Sequence, residues 1–254
     1  KKVAYVQFGP ELTQQAEAAW MKIGAEADGI TDFTAIDGKG DQAFQVKAID
    51  DLIAAGVDGI AWHPADPSAS GASVKAAQAA GIPIVLLDRD LVPYPGRSHY
   101  DLVGIDNRRA GYTITAHLLA CGCRRIVFLG RPRSAPTVDA RIGGYKEAMS
   151  DAHLESHVCR IDPENGAEVA RVLAGVRPDG LVCANDFTAA QLLKTLNGLG
   201  VSVPGDVRMA GVDDVKYASL LPVPLTTIHQ PCAAIGAVAI STMLDRLRHP
   251  KMPP

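Results

Sequence analysis

Short apolar runs alternate with amphipathic stretches along the whole chain, which predicts strands alternating with helices. Val3–Phe8, Phe33–Ile36, Gly59–Trp62 and Ile84–Leu87 read as strands. Leu12–Ala27, Asp41–Ala55 and Ala72–Ala80 carry helical spacing, and Gly56 and Gly81 close the last two at the left-handed position that follows a helix. Pro93, Pro95 and Gly96 then break any regular element within Leu91–Tyr100. Beyond that loop the alternation resumes. Leu102–Ile105, Arg125–Leu129, Val158–Ile161, Gly180–Cys183, Val207–Val212 and Leu225–Ile228 read as strands. Arg108–Cys121, Val138–Ser150, Ala167–Ala174, Asp186–Leu199 and Cys232–Arg248 read as helices, the first entered through the N-cap types Asp106 and Asn107.

This repetition implies α/β architecture with parallel sheets covered on both faces. The strands are too many for one comfortable open sheet, and the irregular middle suggests two similar halves. The expected division is residues 1–105 against 106–230, with 231–254 returning to the first half, because the final helix has no strand of its own in the second. A closed eightfold barrel competes at this length, and the uneven spacing counts against it.

Composition narrows the class. With 254 residues, 47% hydrophobic and 21% charged, the chain can build a core without disulfides or a structural metal. A net charge of −3 makes it a poor nucleic-acid ligand by itself. Apolar runs such as Ile82–Leu87 fall far short of the roughly 20 residues of a membrane span. The first residue is Lys1, which reads as a piece of a longer chain. Five cysteines, an odd number, argue against a disulfide framework and for a reducing, cytoplasmic setting. Cys121-Gly122-Cys123 is too tight for a zinc pair, so no metal and no cofactor are expected.

Open parallel sheets bind ligands beyond the carboxyl ends of their strands. Phe8 and Glu11 follow the first strand, Asp37 the second, Trp62, His63 and Asp66 the third, and Asp88, Arg89 and Asp90 the fourth. In the second half the corresponding positions hold Arg141, Asn185, Asp213, Asp214, His229 and Gln230. Carboxylates, guanidinium groups and carboxamides each make two hydrogen bonds at once, which suits vicinal hydroxyls. Mixed charge favours a neutral, polyhydroxylated ligand, and Phe8 or Trp62 could cover an apolar sugar face.

Plainer readings stand beside these. Asp88-Arg89 and Asp213-Asp214 could be surface turns, His63 before Pro64 a turn residue, and Asn185 a helix N-cap. Arg141 could be a solvated residue on an exposed helix face, Trp62 part of the core, and Glu11 a favourable charge near a helix start. Phosphate-loop, nucleophile-elbow, zinc-protease and dinucleotide motifs are missing, so catalysis is not expected.

Gly104-Ile105-Asp106-Asn107, Gly111, His117-Leu118, Arg124-Arg125-Ile126, Arg141 and Gly144-Tyr145 together resemble the effector domain of lactose-repressor-type (LacI/GalR-type) transcription regulators. Ala184-Asn185-Asp186, Gly211-Val212-Asp213-Asp214 and Pro224–Pro231 extend the likeness. Gly56-Val57-Asp58-Gly59-Ile60 and Leu87-Asp88-Arg89 in the first half are similar to the ribose-type periplasmic sugar-binding proteins. The resemblance implies a periplasmic binding protein-like type I fold: two Rossmann-like subdomains joined by three crossing segments, with the ligand between them. Crossings are implied near Ile105–Asn107, near Asp213–Lys216 or the loop after it, and near Ile228–Gln230.

The family's ligand positions map onto Asp88, Arg89, Arg141, Asn185, Asp213 and Gln230, and His63 stands where the ribose type often has Asn. The first-strand loop, Gly9-Pro10-Glu11-Leu12-Thr13, departs from the sugar-binding pattern. The implied function is sensing a small neutral ligand, and homodimerisation, in a transcriptional regulator that contacts operator DNA through a helix-turn-helix absent from this chain, with no membrane partner. The alternative is a periplasmic sugar receptor serving a transporter.

Overall fold

Five parallel strands, β1 (Lys2–Val6), β2 (Asp32–Ile36), β3 (Gly59–Trp62), β4 (Ile84–Leu87) and β5 (Asp101–Val103), form one sheet in the order β2-β1-β3-β4-β5. Five more, β6 (Ile126–Gly130), β7 (His157–Arg160), β8 (Gly180–Cys183), β9 (Arg208–Asp213) and β10 (Thr226–His229), form a second in the order β10-β9-β8-β6-β7. Counted within its own unit, each sheet has the same order, 2-1-3-4-5. In each, the last strand is reached without an α-helix. Residues 88–100 make that connection in the first sheet, and a 3₁₀ turn, Lys216–Leu220, lies in it in the second. The computed structural model that shows this describes residues 1–10 and 12–253.

The helices are α1 (Leu12–Ala27), α2 (Gln42–Ala54), α3 (Gly71–Ala79), α4 (Asn107–Ala120), α5 (Pro136–Asp151), α6 (Gly166–Val176), α7 (Asp186–Gly198) and α8 (Cys232–Arg248). The chain divides into two units, Lys1–Ile105 with Pro231–Pro254, and Asp106–Gln230. In the first, Val3 and Tyr5 on β1 pack with Met21 and Ala25 of α1 and with Ile235, Ala239, Ile240 and Met243 of α8. On the opposite face, Val6, Ile60 and Trp62 pack with Ile49 of α2 and Val74 of α3. Alternate residues of one strand thus feed two cores, as a parallel sheet buried on both faces requires. Each large aliphatic side chain so buried stabilises the fold by about 1.5–3 kcal/mol.

Two separate open sheets exclude the barrel, as the uneven spacing indicated. Two sequence expectations are corrected. Among the described residues the chain passes between units twice, after Ile105 and after Gln230, not three times. No crossing occurs near Asp213–Lys216, because β10 pairs in parallel with β9 and keeps the intervening segment inside the second unit. The first strand stops at Val6, so Phe8 lies beyond it. No helix among the described residues is long and apolar enough to cross a membrane.

Candidate functional site

Register places the carboxyl ends of neighbouring strands level. In the first unit Val6 lies opposite Ile36 and Trp62, Trp62 opposite Leu86, and Leu87 opposite Val103. Phe8, His63, Asp88 and Arg89 therefore emerge at one sheet edge. Strand order reverses between β1 and β3, the position at which such sheets take ligands.

Gln45 on α2 fixes the first two of these loops. Its Nε2 donates to the carbonyls of Gln7, at 2.7 Å, and His63, at 3.0 Å. Its Oε1 accepts from Trp62 Nε1 at 3.0 Å and from the Ala65 amide at 2.8 Å. Trp62 is thereby wholly core, and its reading as a stacking platform is overturned. His63 is buried rather than an exposed turn residue; its Nε2 lies 3.5 Å from Asp88 Oδ2 and its ring 5.7 Å from that of Phe8.

Asp88 has φ +60°, and the Arg89 amide donates to the Leu87 carbonyl at 2.6 Å across it. That is a γ-turn of the strained, positive-φ kind. Arg89 reaches back over Phe8, its guanidinium carbon 4.4 Å from the ring centroid, and Nη1 donates to the carbonyls of Pro64 and Ala65. Asp88 Oδ2 lies 3.9 Å from Arg89 Nε. Glu11 lies outside the described residues.

Behind this edge sits an acid that sequence reasoning missed. Glu17 on α1 is fully buried and accepts a 2.6 Å hydrogen bond from Tyr5 Oη. Burial pushes its carboxyl up to about 8, with the nearby Asp88 charge adding to the rise and the Tyr5 bond opposing it. The buried stripe of α1 reads Gln14, Glu17, Met21, Ala25. Polar residues at core-facing helical spacing were the available signal, as for Gln45, which shares its face with Ala48 and Ile49.

In the second unit the edge is organised around Arg141, which is 4% exposed. The expectation of a solvated helix-face residue fails because distant groups hold it. Nε donates to Asn107 Oδ1 at 2.8 Å, Nη1 to the Ala184 carbonyl at 2.6 Å, and Nη2 lies 3.6 Å from Asp213 Oδ1. Two glycines allow this. A Cβ at Gly111 would overlap the Arg141 carbonyl, and one at Gly144 would overlap the Arg108 carbonyl, so α4 and α5 touch backbone to backbone.

Asn185 takes the N-cap role read for it. Its Oδ1 caps α7 by accepting from the Thr188 amide at 2.9 Å, which leaves Nδ2 as the group that can serve a ligand. Asp213 ends β9 with φ +124°, and the buried Gln230 donates its amide to the Asp213 carbonyl at 3.2 Å. Each unit thus gathers its own members of the candidate set: Phe8, His63, Asp88 and Arg89 in the first, Arg141, Asn185, Asp213 and Gln230 in the second. Among the described residues no cluster of three His, Cys, Asp or Glu could hold a metal ion.

Comparison with known proteins bears on the fold and the family. A periplasmic binding protein-like domain matches residues 115–254. The repressor PurR of Haemophilus influenzae is 30% identical over 175 residues, 66% of this chain and 51% of that protein. The ribose operon repressor of Halalkalibacterium halodurans is 28% identical over 170 residues, 65% and 50% of the respective chains. The chain thus spans about half the length of the curated relatives it matches. A LacI family regulator from Enterococcus faecium, solved with bound ribose, shares the fold at a TM-score of 0.80 and 23% identity, covering 98% of this chain and 92% of that one.

Proposed function

The chain belongs to the periplasmic binding protein-like domain family, and from that premise we propose that it is the ligand-sensing domain of a lactose-repressor-type transcriptional regulator. It binds a small neutral ligand, a sugar being the class expected, and does not turn it over. The Arg141 clamp carries this reading. A buried guanidinium already fixed by Asn107 and Ala184, with Asp213 at 3.6 Å and Asn185 beside it, offers donors and acceptors pre-set for adjacent hydroxyls. Its charge is matched within the cluster, as that of Arg89 is by Asp88, so a neutral ligand fits better than an anion. Gln230 belongs to the same proposed set in the second unit, and Phe8, His63, Asp88 and Arg89 are the ligand positions proposed at the first unit's own edge.

The repressor relatives support a regulator over a transporter receptor. In this reading a dimer transmits ligand binding to a helix-turn-helix outside these residues. The coupling is about 1–3 kcal/mol and reciprocal, so operator DNA alters ligand affinity by the same factor.

A thermal-shift and calorimetric screen against mono- and disaccharides, polyols and purines tests the ligand class. A sugar at a hundred times its Kd should stabilise the protein by about 2.7 kcal/mol. Asp88→Ala and Arg141→Ala should each abolish that gain. Unchanged binding in both variants would sink the site. A monomer in sedimentation at about tens of micromolar would remove the dimer.

A further inference from the structure

We infer that Asp186 is the positioning residue of the second-unit site: it sets the Asp213 carboxylate by pinning the backbone that follows it. The inference deepens the proposed function and rests on its assignment of Asp213 to the ligand. Asp186 opens α7 directly after Asn185, yet its side chain turns away from the helix. It is fully buried.

Both carboxylate oxygens are engaged by the segment on either side of the β9–β10 connection. Oδ1 accepts from Thr227 Oγ1 at 2.7 Å, and Oδ2 accepts from the Val215 amide at 3.1 Å. Thr227 Oγ1 in turn accepts from the Asp214 amide at 3.3 Å. The two amides that follow Asp213 are therefore both held, one directly and one through the Thr227 hydroxyl. They are held where the backbone is least comfortable, because Asp213 and Asp214 have φ of +124° and +56°. Two consecutive non-glycine residues in that region persist only when their surroundings over-determine them.

The carboxylate needs room to reach across. A Cβ at Gly211 would overlap Asp186 Oδ1, so the glycine in β9 leaves the space that the acid fills. Ionised Asp186 also sits in the first turn of α7, where the helix dipole favours negative charge. Burial works against it and raises its carboxyl above the ordinary value, while the bonds from Thr227, Val215 and Asp214 pull it back. A buried acid is a costly way to cap a helix that Asn185 already caps. Its remaining work is to hold the Asp213 turn, and through it the distance from that carboxylate to Arg141.

The test uses Asp186→Ala and the milder Thr227→Val, read by amide hydrogen exchange and by calorimetry with D-ribose as probe. Asp186→Ala should speed exchange at Val215 and Gln230 by at least about tenfold, the loss of a charge-assisted bond, and leave Thr188 protected. Thr227→Val should do the same at Asp214 to a smaller extent. Uniformly faster exchange throughout the second unit, or no change at Val215, overturns the inference. Where ribose binds, Asp186→Ala should weaken it by at least about tenfold, and the Asp186→Ala, Asp213→Ala double variant should bind no worse than Asp213→Ala alone. Additive losses overturn it as well. Should ribose fail to bind the wild-type chain, the exchange measurement decides by itself and the ligand assignment is what has failed.

Discussion

The two units repeat one topology but prepare their strand-end edges by opposite means. In the second, a permanent cation is buried and fixed in place: Arg141 is held by Asn107 and Ala184, and Asp213 balances its charge. In the first, Arg89 lies over Phe8, donates to the carbonyls of Pro64 and Ala65 and sits 3.9 Å from Asp88, while the buried group behind the edge is Glu17, an acid that burial keeps protonated. A guanidinium does not titrate in the accessible range, whereas a carboxyl pushed up to about 8 does. The same fold therefore sets behind one edge a buried acid that titrates near neutrality and at the other a guanidinium that does not.

The largest expected effect follows from Glu17. Its folded-state value of about 8 stands above the ordinary 4.5, so between those values the folded chain holds a proton that the unfolded chain has released. Stability must then fall as pH rises from about 4.5 and level off above about 8, by a total on the order of 4–5 kcal/mol from this group. Both tryptophans, Trp20 and Trp62, lie in the first unit, so urea unfolding followed by tryptophan fluorescence reads this loss where it arises. Glu17→Gln, which mimics the protonated acid, should flatten the profile. A slope that survives the substitution would assign the proton elsewhere.

Next comes the clamp. Arg141→Ala removes the guanidinium bonds to Asn107 Oδ1 and the Ala184 carbonyl and the cation 3.6 Å from Asp213, for a loss of roughly 3 kcal/mol. The loss should be the same at pH 5 and pH 8, in contrast to that from Glu17. Circular dichroism during urea unfolding measures it, and a pH-dependent loss would erase the distinction between the units. Smaller again is a control away from either edge. Asn165 caps α6 by accepting from the amides of Ala167 and Glu168, so Asn165→Ala should cost about 1 kcal/mol and leave ligand affinity untouched.

These contrasts also show what was legible in the sequence. Period and cap residues located α1, β3, β4, β8 and α8 to the residue, because those signals are local. The short 3₁₀ turns at Pro67–Ala69 and Lys216–Leu220 carry no such period and were missed. The site was legible as a set of strand-end positions but not as bonds. Arg141 was as easily read as a solvated side chain, since its partners Asn107 and Ala184 come from α4 and from the end of β8. Gln45, Glu17 and Asp186 were passed over for the same reason. Whether a buried polar residue is tolerable depends on donors and acceptors supplied by other elements, and only tertiary structure brings those together.

The finest test of the contrast is at Phe8, where the first unit adds a ring beside the Asp88–Arg89 pair. Arg89 sits over the ring, 4.4 Å from its centroid, and the His63 ring packs tilted against it at 5.7 Å, so the face attracts the guanidinium. Phe8→Leu keeps the apolar bulk and removes the quadrupole. It should weaken sugar binding by about 0.5 kcal/mol, roughly twofold, with little change in unfolding, because a partly exposed cation–π contact contributes about that much. Calorimetry against whichever sugar stabilises the wild-type chain resolves a twofold change. A loss as large as that of Arg141→Ala would mean that Phe8 stacks on the ligand itself, and the first unit would then owe its affinity to the ring more than to Asp88 and Arg89.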